Sequence, residues 1–328
     1  MAGVQGSALA AAVSNAGGLG SLPCAVLTLD AMRSELVALT SQSAKPFNVN
    51  FFCHKPPTPS VEREATWRAM LLPYYQALGI DPGAIPAGQA RMSFGADAAD
   101  LLSEFKPAVV SFHFGLPSAE LLVRVKAWGS KILSSATTVD EALWLEAHGV
   151  DAIIAQGLEA GGHRGSFLSD DLTTNVGTLA LVPQVVQKVR LPVIAAGGIA
   201  DSKGVRAAMA LGAAGAQVGT AYLLCAEAAT SAVHRAALKS EAARHTALTN
   251  VFTGRPARAI VNRLMKEIGP ISPAAPPFPL AASALAPLRA KAESQGSGDF
   301  SSMWAGQNTS GCKEVAAGDL TRELAADL

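Results

Sequence analysis

The chain reads as an α/β protein: a TIM (β/α)8 barrel that lacks its first strand, with an accessory C-terminal helical lobe. Three observations predict this. Short apolar runs of strand length alternate with longer amphipathic runs of helical period. The strand-like runs are apolar on both faces, as parallel strands covered by helices must be. Glycines and titratable side chains collect where those runs end, which is where a barrel keeps its site.

The elements follow in order. Residues 1–5 (MAGVQ) lead straight into a small-residue helix at 7–16, with no room for a strand before it. A short strand is predicted at 18–22. Six more are predicted at 46–52 (PFNVNFF), 108–114 (AVVSFHF), 131–136 (KILSSA), 150–156, 192–198 (PVIAAGG) and 214–224 (AGAQVGTAYLL). The clearest helices are 118–128, 139–148, 177–189 and 202–211. Ser118, Thr138 and Asp201 cap their starts, and Gly129, Gly149 and Gly212 mark their ends. An open doubly wound sheet fits the same rhythm; the count of strands favours a barrel that is one short.

Two stretches break the rhythm. Residues 53–105 are too long for one crossover and carry prolines at 56, 57, 59, 73, 82 and 86, so an elaborated loop is expected there. Residues 241–328 follow the last strand, with prolines at 270, 273, 276, 277 and 279 and then helical segments. They are expected to form a lobe, or lid, over the barrel of residues 1–240.

Composition bounds the function. Of 328 residues 49% are hydrophobic and 16% charged, enough for a sizeable core in a soluble enzyme. Lys plus Arg and Asp plus Glu number 26 each, so no net charge argues for nucleic acid or an anionic membrane as partner. No apolar run is long enough to span a bilayer. The amino terminus lacks the basic and apolar regions of a secretory signal. Cys24, Cys53, Cys225 and Cys312 are scattered, without a CxxC pair, and read as thiols in a reducing cytoplasm.

The densest chemical signal is Gln156 to Gly165 (QGLEAGGHRG), at the end of a buried strand. Gly161 and Gly162 let backbone approach a flat ligand, and His163 is then held over it. Gly197-Gly198 and Gly219-Thr220 end consecutive strands. Each pair alone could be a tight turn; together their N–H groups suit a phosphate. Asn50 and Gln156 are amides at strand ends, satisfied in the core or facing a heterocycle. His113, in SFHFG, is a second histidine at the rim. His54, His148, His234 and His245 have no such placement and are read as surface or core residues. No carboxylate or third histidine sits at ligand spacing, so a metal is not expected.

Taken together, AAAVSNAGGLGS (10–21), FNVN (47–50), SFHFG (111–115), QGLEAGGHRG (156–165), AAGGI (195–199), QVGTA (217–221) and WAGQ (304–307) resemble the nitronate monooxygenases, formerly 2-nitropropane dioxygenases, of class I. The resemblance implies FMN bound non-covalently in a TIM barrel, and oxidation of alkyl nitronates by O2 to carbonyl compounds and nitrite. It implies FMN contacts from Met1, Ala2, Gly3, Asn50, Gln156, Gly161, Gly198, Gln217, Gly219 and Thr220, with His163 as the active-site histidine and His113 in the substrate pocket. Its partners would be a small nitronate and O2, in a cytoplasmic monomer or homodimer.

Two departures from the family pattern carry expectations of their own. Met1 coincides with the methionine that closes the family's first strand, so that strand is expected upstream. Residues 277–284 (PFPLAASA) lack the tyrosines and lysine that some class I members direct at the substrate, so a more apolar pocket is expected. An FMN-dependent NAD(P)H:quinone or enoyl reductase is the alternative enzyme on the same barrel. A non-catalytic barrel is the alternative if FMN cannot bind.

Overall fold

The computed structural model describes residues 3–85 and 93–326; the predicted FMN contacts Met1 and Ala2 lie outside them, as does Pro86. The barrel elements are α1 (Ser7–Asn15), β1 (Gly20–Pro23), α2 (Leu29–Gln42), β2 (Phe47–Phe52), α3 (Val61–Ala77), α4 (Ala96–Phe105), β3 (Val109–His113), α5 (Ala119–Ala127), β4 (Lys131–Ala136) and α6 (Val139–Ala147). The chain continues with β5 (Ala152–Gln156), β6 (Gly162–His163, outside the barrel sheet), α7 (Thr178–Lys188), β7 (Val193–Ala196), α8 (Ser202–Ala210), β8 (Gly215–Gln217) and α9 (Ala232–Leu238). After them come β9 (Thr246–Thr249), β10 (Ala257–Ile260), α10 (Arg263–Ile268), α11 (Ala281–Ser294) and α12 (Ala317–Leu324).

Local chemistry sets the helix ends. The Ser118, Thr138 and Asp201 side chains accept from the N–H groups of Leu121, Glu141 and Gly204, as capping residues do. Gly129, Gly149 and Gly212 follow α5, α6 and α8 in the left-handed region, where a Cβ is costly.

Seven parallel strands form one curled sheet in the order β1-β2-β3-β4-β5-β7-β8. The sequence predicts a (β/α)8 barrel without its first strand; the described residues form the seven strands of a curled half-barrel with that α/β alternation. Among the described residues no strand pairs with the outer edge of β1 or of β8. Cys24 N–H donates to Asn50 on β2, so Pro23, without an N–H, faces that seam. There the Gln5 side-chain amide donates to the Ser21 carbonyl at 2.5 Å. Outside the seam, α12 lays Leu320 and Leu324 against Leu9 of α1 and Val205 of α8, bridging the helices on either side.

Three expectations need correction. The predicted strand 214–224 is only β8; from Thr220 to Leu224 the chain turns in a 3₁₀ helix. An apolar run has the same sequence signature in a buried turn as in a strand. The predicted loop 53–105 contains α3 and α4. Its prolines 56, 57, 59 and 82 flank α3, whose cap is Ser60, and Pro73 is carried inside it. The predicted helical lobe includes β9 and β10, which form an antiparallel sheet with β6. Strands of two to four residues are too short to show a period.

The two irregular stretches share a core. Trp67, Leu71 and Tyr75 of α3 pack with Leu264, Leu285, Leu288 and Trp304 of the C-terminal segment. The Trp67 indole and Tyr75 hydroxyl donate to the carbonyls of Ala281 and Ala284 on α11. Among the described residues no helix is long and apolar enough to cross a membrane.

Candidate active site

A single cavity of about 1080 Å³ runs along the carboxyl ends of the strands and the seam. This is at the upper end of small-molecule sites, about 300–1,000 Å³. Gly3, Asn50, His113, Gln156, Gly161, His163, Gly198, Gln217, Gly219 and Thr220 all line it. The fold thus brings together every described residue that the sequence singles out, from positions more than 200 apart in the chain.

The loop after β5 is built around His163. Gln156 closes it from within: its Nε2 donates to the His163 carbonyl at 2.9 Å, and its Oε1 accepts from Gly165 N–H at 2.8 Å. Arg164 anchors it from below. This fully buried guanidinium donates to the carbonyls of Gln156 and Gly157 and to Asn175 Oδ1, at 2.7–2.9 Å. Burial lowers its pKa to about 10, which leaves it charged at neutral pH. Gly161 owes its bareness to the protein as well as to any ligand. A Cβ there would stand 2.5 Å from Gly306 N and 2.6 Å from the Ala305 carbonyl carbon. The His163 imidazole meets Thr253, with 2.9 Å between Nε2 and Oγ1.

His113 is engaged at both nitrogens. Its Nε2 lies 3.1 Å from the His163 carbonyl and its Nδ1 3.0 Å from Ser135 Oγ. A carbonyl only accepts, so Nε2 carries the proton and Nδ1 takes the Ser135 hydroxyl. Burial pushes this imidazole down to about 4, with the charges of Arg255 and Arg164 adding to the push. It is therefore a neutral, fixed ring that lines the cavity while holding the His163 backbone. Around the two histidines stand Phe52, Phe114, Phe278 and Trp304, with ring centroids 5.2–6.0 Å from His163. Of these, Phe52 and Trp304 line the cavity.

Donors gather at the other end. Among the described residues the backbone N–H groups of Gly198, Gly219 and Thr220 donate to no protein acceptor. Gly219 has φ −120°, open to any residue, and a Cβ on it would meet nothing within 4 Å. The fold itself does not require this glycine; a ligand pressed against the turn would. Thr220 Oγ1 accepts from Gly306 N–H at 2.9 Å, which leaves its own proton for a ligand. Between the two ends, Asn50 Nδ2 donates to Ser111 Oγ at 2.8 Å, and among the described residues no donor reaches its Oδ1. An uncharged donor cradle and a free amide acceptor suit a phosphate at one end and a planar imide at the other.

Several residues here escape sequence reading. Glu159 supplies the cap that α7 lacks, accepting from Thr178 N–H and Oγ1 at 2.8 and 2.9 Å. Ser111 accepts from both Asn48 and Asn50. His234, read as an ordinary surface or core residue, is buried on the cavity wall with no hydrogen-bond partner for Nε2 among the described residues. Thr253 lies in a turn of the C-terminal segment, where no motif marks it.

Comparison with known proteins agrees with this geometry. The family model described as nitronate monooxygenase matches residues 1–327. The nitronate monooxygenase of Paraburkholderia phytofirmans is 44% identical, covering 100% of this chain and 90% of its own length. That of Pseudomonas aeruginosa is 42% identical, covering 100% and 94%. The structure of nitroalkane oxidase from Streptomyces ansochromogenes superposes with a TM-score of 0.91 at 38% identity, over 100% of this chain and 93% of that one. FabK from Thermotoga maritima is more distant, with a TM-score of 0.71 at 26% identity, over 99% and 89%. A family match along nearly every residue, joined to a shared fold and relatives above 40% identity, means that this chain belongs to the nitronate monooxygenase family.

Proposed function

We propose that the protein uses FMN to oxidise small alkyl nitronates with O2, giving carbonyl compounds and nitrite. The observation that carries this reading is one cavity holding an anion cradle at Gly198, Gly219 and Thr220, an amide at Asn50 and an imidazole at His163 inside an aromatic wall. The cradle would hold the FMN phosphate through backbone N–H groups and the Thr220 hydroxyl. Asn50 Oδ1 would accept from the imide of the ring. The chemistry FMN supplies when bound is electron transfer from substrate to O2; the protein supplies position and electrostatics.

His163 faces the substrate in this reading. A nitronate is already an anion, so the imidazole need only hydrogen-bond its oxygens; on a neutral nitroalkane it would take the α-proton. Phe52 and Trp304 exclude water and favour an alkyl tail, and Phe278 packs against the His163 ring. His113 does not handle the proton: it is neutral and both nitrogens are engaged, so its part is to hold His163 in place. All four cysteines are free, which suits a reducing cytoplasm.

The test is direct. Purified protein should carry a flavin absorbance, consume O2 with propyl-2-nitronate and release nitrite. Bound flavin that ignores nitronate but is bleached by NAD(P)H would transfer the protein to the reductase reading. His163→Asn then separates the two roles of the imidazole. A base assignment requires that neutral nitroalkane turnover fall far more than nitronate turnover; equal losses would leave it an orienting group.

A further inference from the structure

The site is built mostly on the barrel, yet a side-chain partner of the His163 ring comes from the segment that follows it. Thr253 sits in the turn between β9 and β10, in the segment that follows the barrel. It is 6% exposed and lines the cavity, with Oγ1 2.9 Å from His163 Nε2. Its other polar neighbour is the Arg255 carbonyl at 3.4 Å.

The turn that carries it is clamped on every side. Gly254 N–H donates to the Asn250 carbonyl at 2.7 Å, and φ at Gly254 is +87°. A Cβ there would lie 2.0 Å from the Pro276 carbonyl oxygen, so no other residue fits. Asn250 exchanges hydrogen bonds with Ser272, at 2.9 Å each. Val251 and Phe252 are buried in the core shared with α3 and α11. Arg255 reaches back to the Ser166 carbonyl and lies over the Phe114 ring, 4.2 Å from its centroid. Such a turn holds a hydroxyl still.

We infer that Thr253 is the positioning residue for the His163 imidazole, so that the C-terminal segment completes the barrel's active site. The inference rests on the role given to His163 above. The division of labour is geometric. Gln156 and His113 hold the His163 main chain through its carbonyl; Thr253 holds the ring. A hydroxyl suits this task because it both donates and accepts. It can donate to Nε2 of a neutral ring. It can equally accept from Nε2–H of a charged ring, with its own proton turned to the Arg255 carbonyl. One side chain therefore keeps the ring in place through a change of protonation, which valine could not do.

Among the described residues the charged and titratable groups around His163 include His113 on β3, Arg164 beside it in the loop and Arg255 on the turn, with His54 behind Phe278 and Phe114. The carboxylates of Glu141 and Glu159 are turned to the N–H groups of Phe167 and Thr178. Thr253 is a neutral acceptor for the charged ring. Its hydrogen bond to the charged form is the stronger of the two it can make, so its loss is expected to lower the proton affinity of His163.

The experiment compares FMN-loaded wild type, Thr253→Val, Thr253→Ser, His163→Asn and the Thr253→Val/His163→Asn double variant. Turnover of propyl-2-nitronate is followed across the range in which imidazole titrates. Thr253→Val should lose about tenfold in kcat/KM, the worth of one hydrogen bond, with the acid limb of its profile moved to lower pH. Thr253→Ser should recover most of the loss. The double variant should be no worse than His163→Asn alone, because Thr253 acts through that ring. Nitrogen-edited NMR of the cofactor-free protein should show the His163 ring nitrogens shifted in Thr253→Val and restored in Thr253→Ser.

Wild-type behaviour of Thr253→Val beside an impaired His163→Asn would overturn the inference and leave the role of His163 standing. So would losses that multiply in the double variant, since they indicate damage unrelated to the ring. A His163→Asn enzyme with unchanged turnover of both nitronate and nitroalkane would remove the role of His163, and that of Thr253 with it.

Discussion

Two desolvated histidines, His113 and His234, carry the clearest prediction at the scale of the single residue. Burial pushes each imidazole down to about 4. In the unfolded chain both titrate near 6.5. Between those values the unfolded state binds more protons, so stability falls as pH drops from about 6.5 to about 4, by up to about 3 kcal/mol for each ring. Melting temperature followed against pH should fall steeply in that window. His234→Leu removes one of the two protons and should flatten the fall; an unchanged slope would defeat the assignment. Glycines give a second contrast. Gly219→Ala places its methyl in open space, so folding should change by less than about 0.5 kcal/mol. FMN affinity should still drop by about tenfold or more as the cradle fills. Gly161→Ala meets backbone at 2.5 Å and should destabilise the fold by about 1–3 kcal/mol. Urea unfolding and FMN titration distinguish the two.

The decisive element is the loop from Gln156 to Phe167. It has almost no regular structure, and its shape is imposed by buried charge. Arg164 satisfies three acceptors beneath it. Glu141, on α6, accepts from Thr137 N–H and Oγ1 and from the N–H groups of Phe167 and Leu168, at 2.6–3.2 Å. Arg164→Met should therefore cost about 3 kcal/mol or more, because three buried acceptors lose their donor at about 1–3 kcal/mol each. Urea denaturation would show it, and a loss below about 1 kcal/mol would mean that the loop is held by its ends alone. The loop was legible as a functional segment because Gly161, Gly162 and His163 are adjacent in the chain. The supports of Arg164 were not. Its acceptors are mostly main-chain carbonyls, which leave no mark on sequence.

The molecule departs from a regular barrel in two places. Among the described residues no strand closes the seam between β1 and β8, and α12 bridges the helices outside it. Leu320 is 1% exposed in that contact. Leu320→Ala should cost about 2–5 kcal/mol, as buried leucines do. It should also raise amide exchange in α1 together with α12. Exchange confined to α12 would show that the seam does not depend on it. The prolines that made residues 53–105 and the segment after 240 look like a loop and a separate lobe concealed a shared core. Trp67 meets Ala281 across 214 residues of chain, and neither segment alone shows its partner.

Alternation of apolar and amphipathic runs, capping residues at their ends and glycines at their stops are local properties. The sequence by itself therefore determined the parallel sheet and the rim on which Asn50, His113, Gln156, His163, Gly198 and Thr220 meet. Tertiary structure decided everything that depends on contact between distant segments: that β9 and β10 extend β6, that α3 and α11 share a core, and that Thr253 reaches His163 from 90 residues away. Periodicity records which face of an element is buried. It holds no record of what that face is buried against.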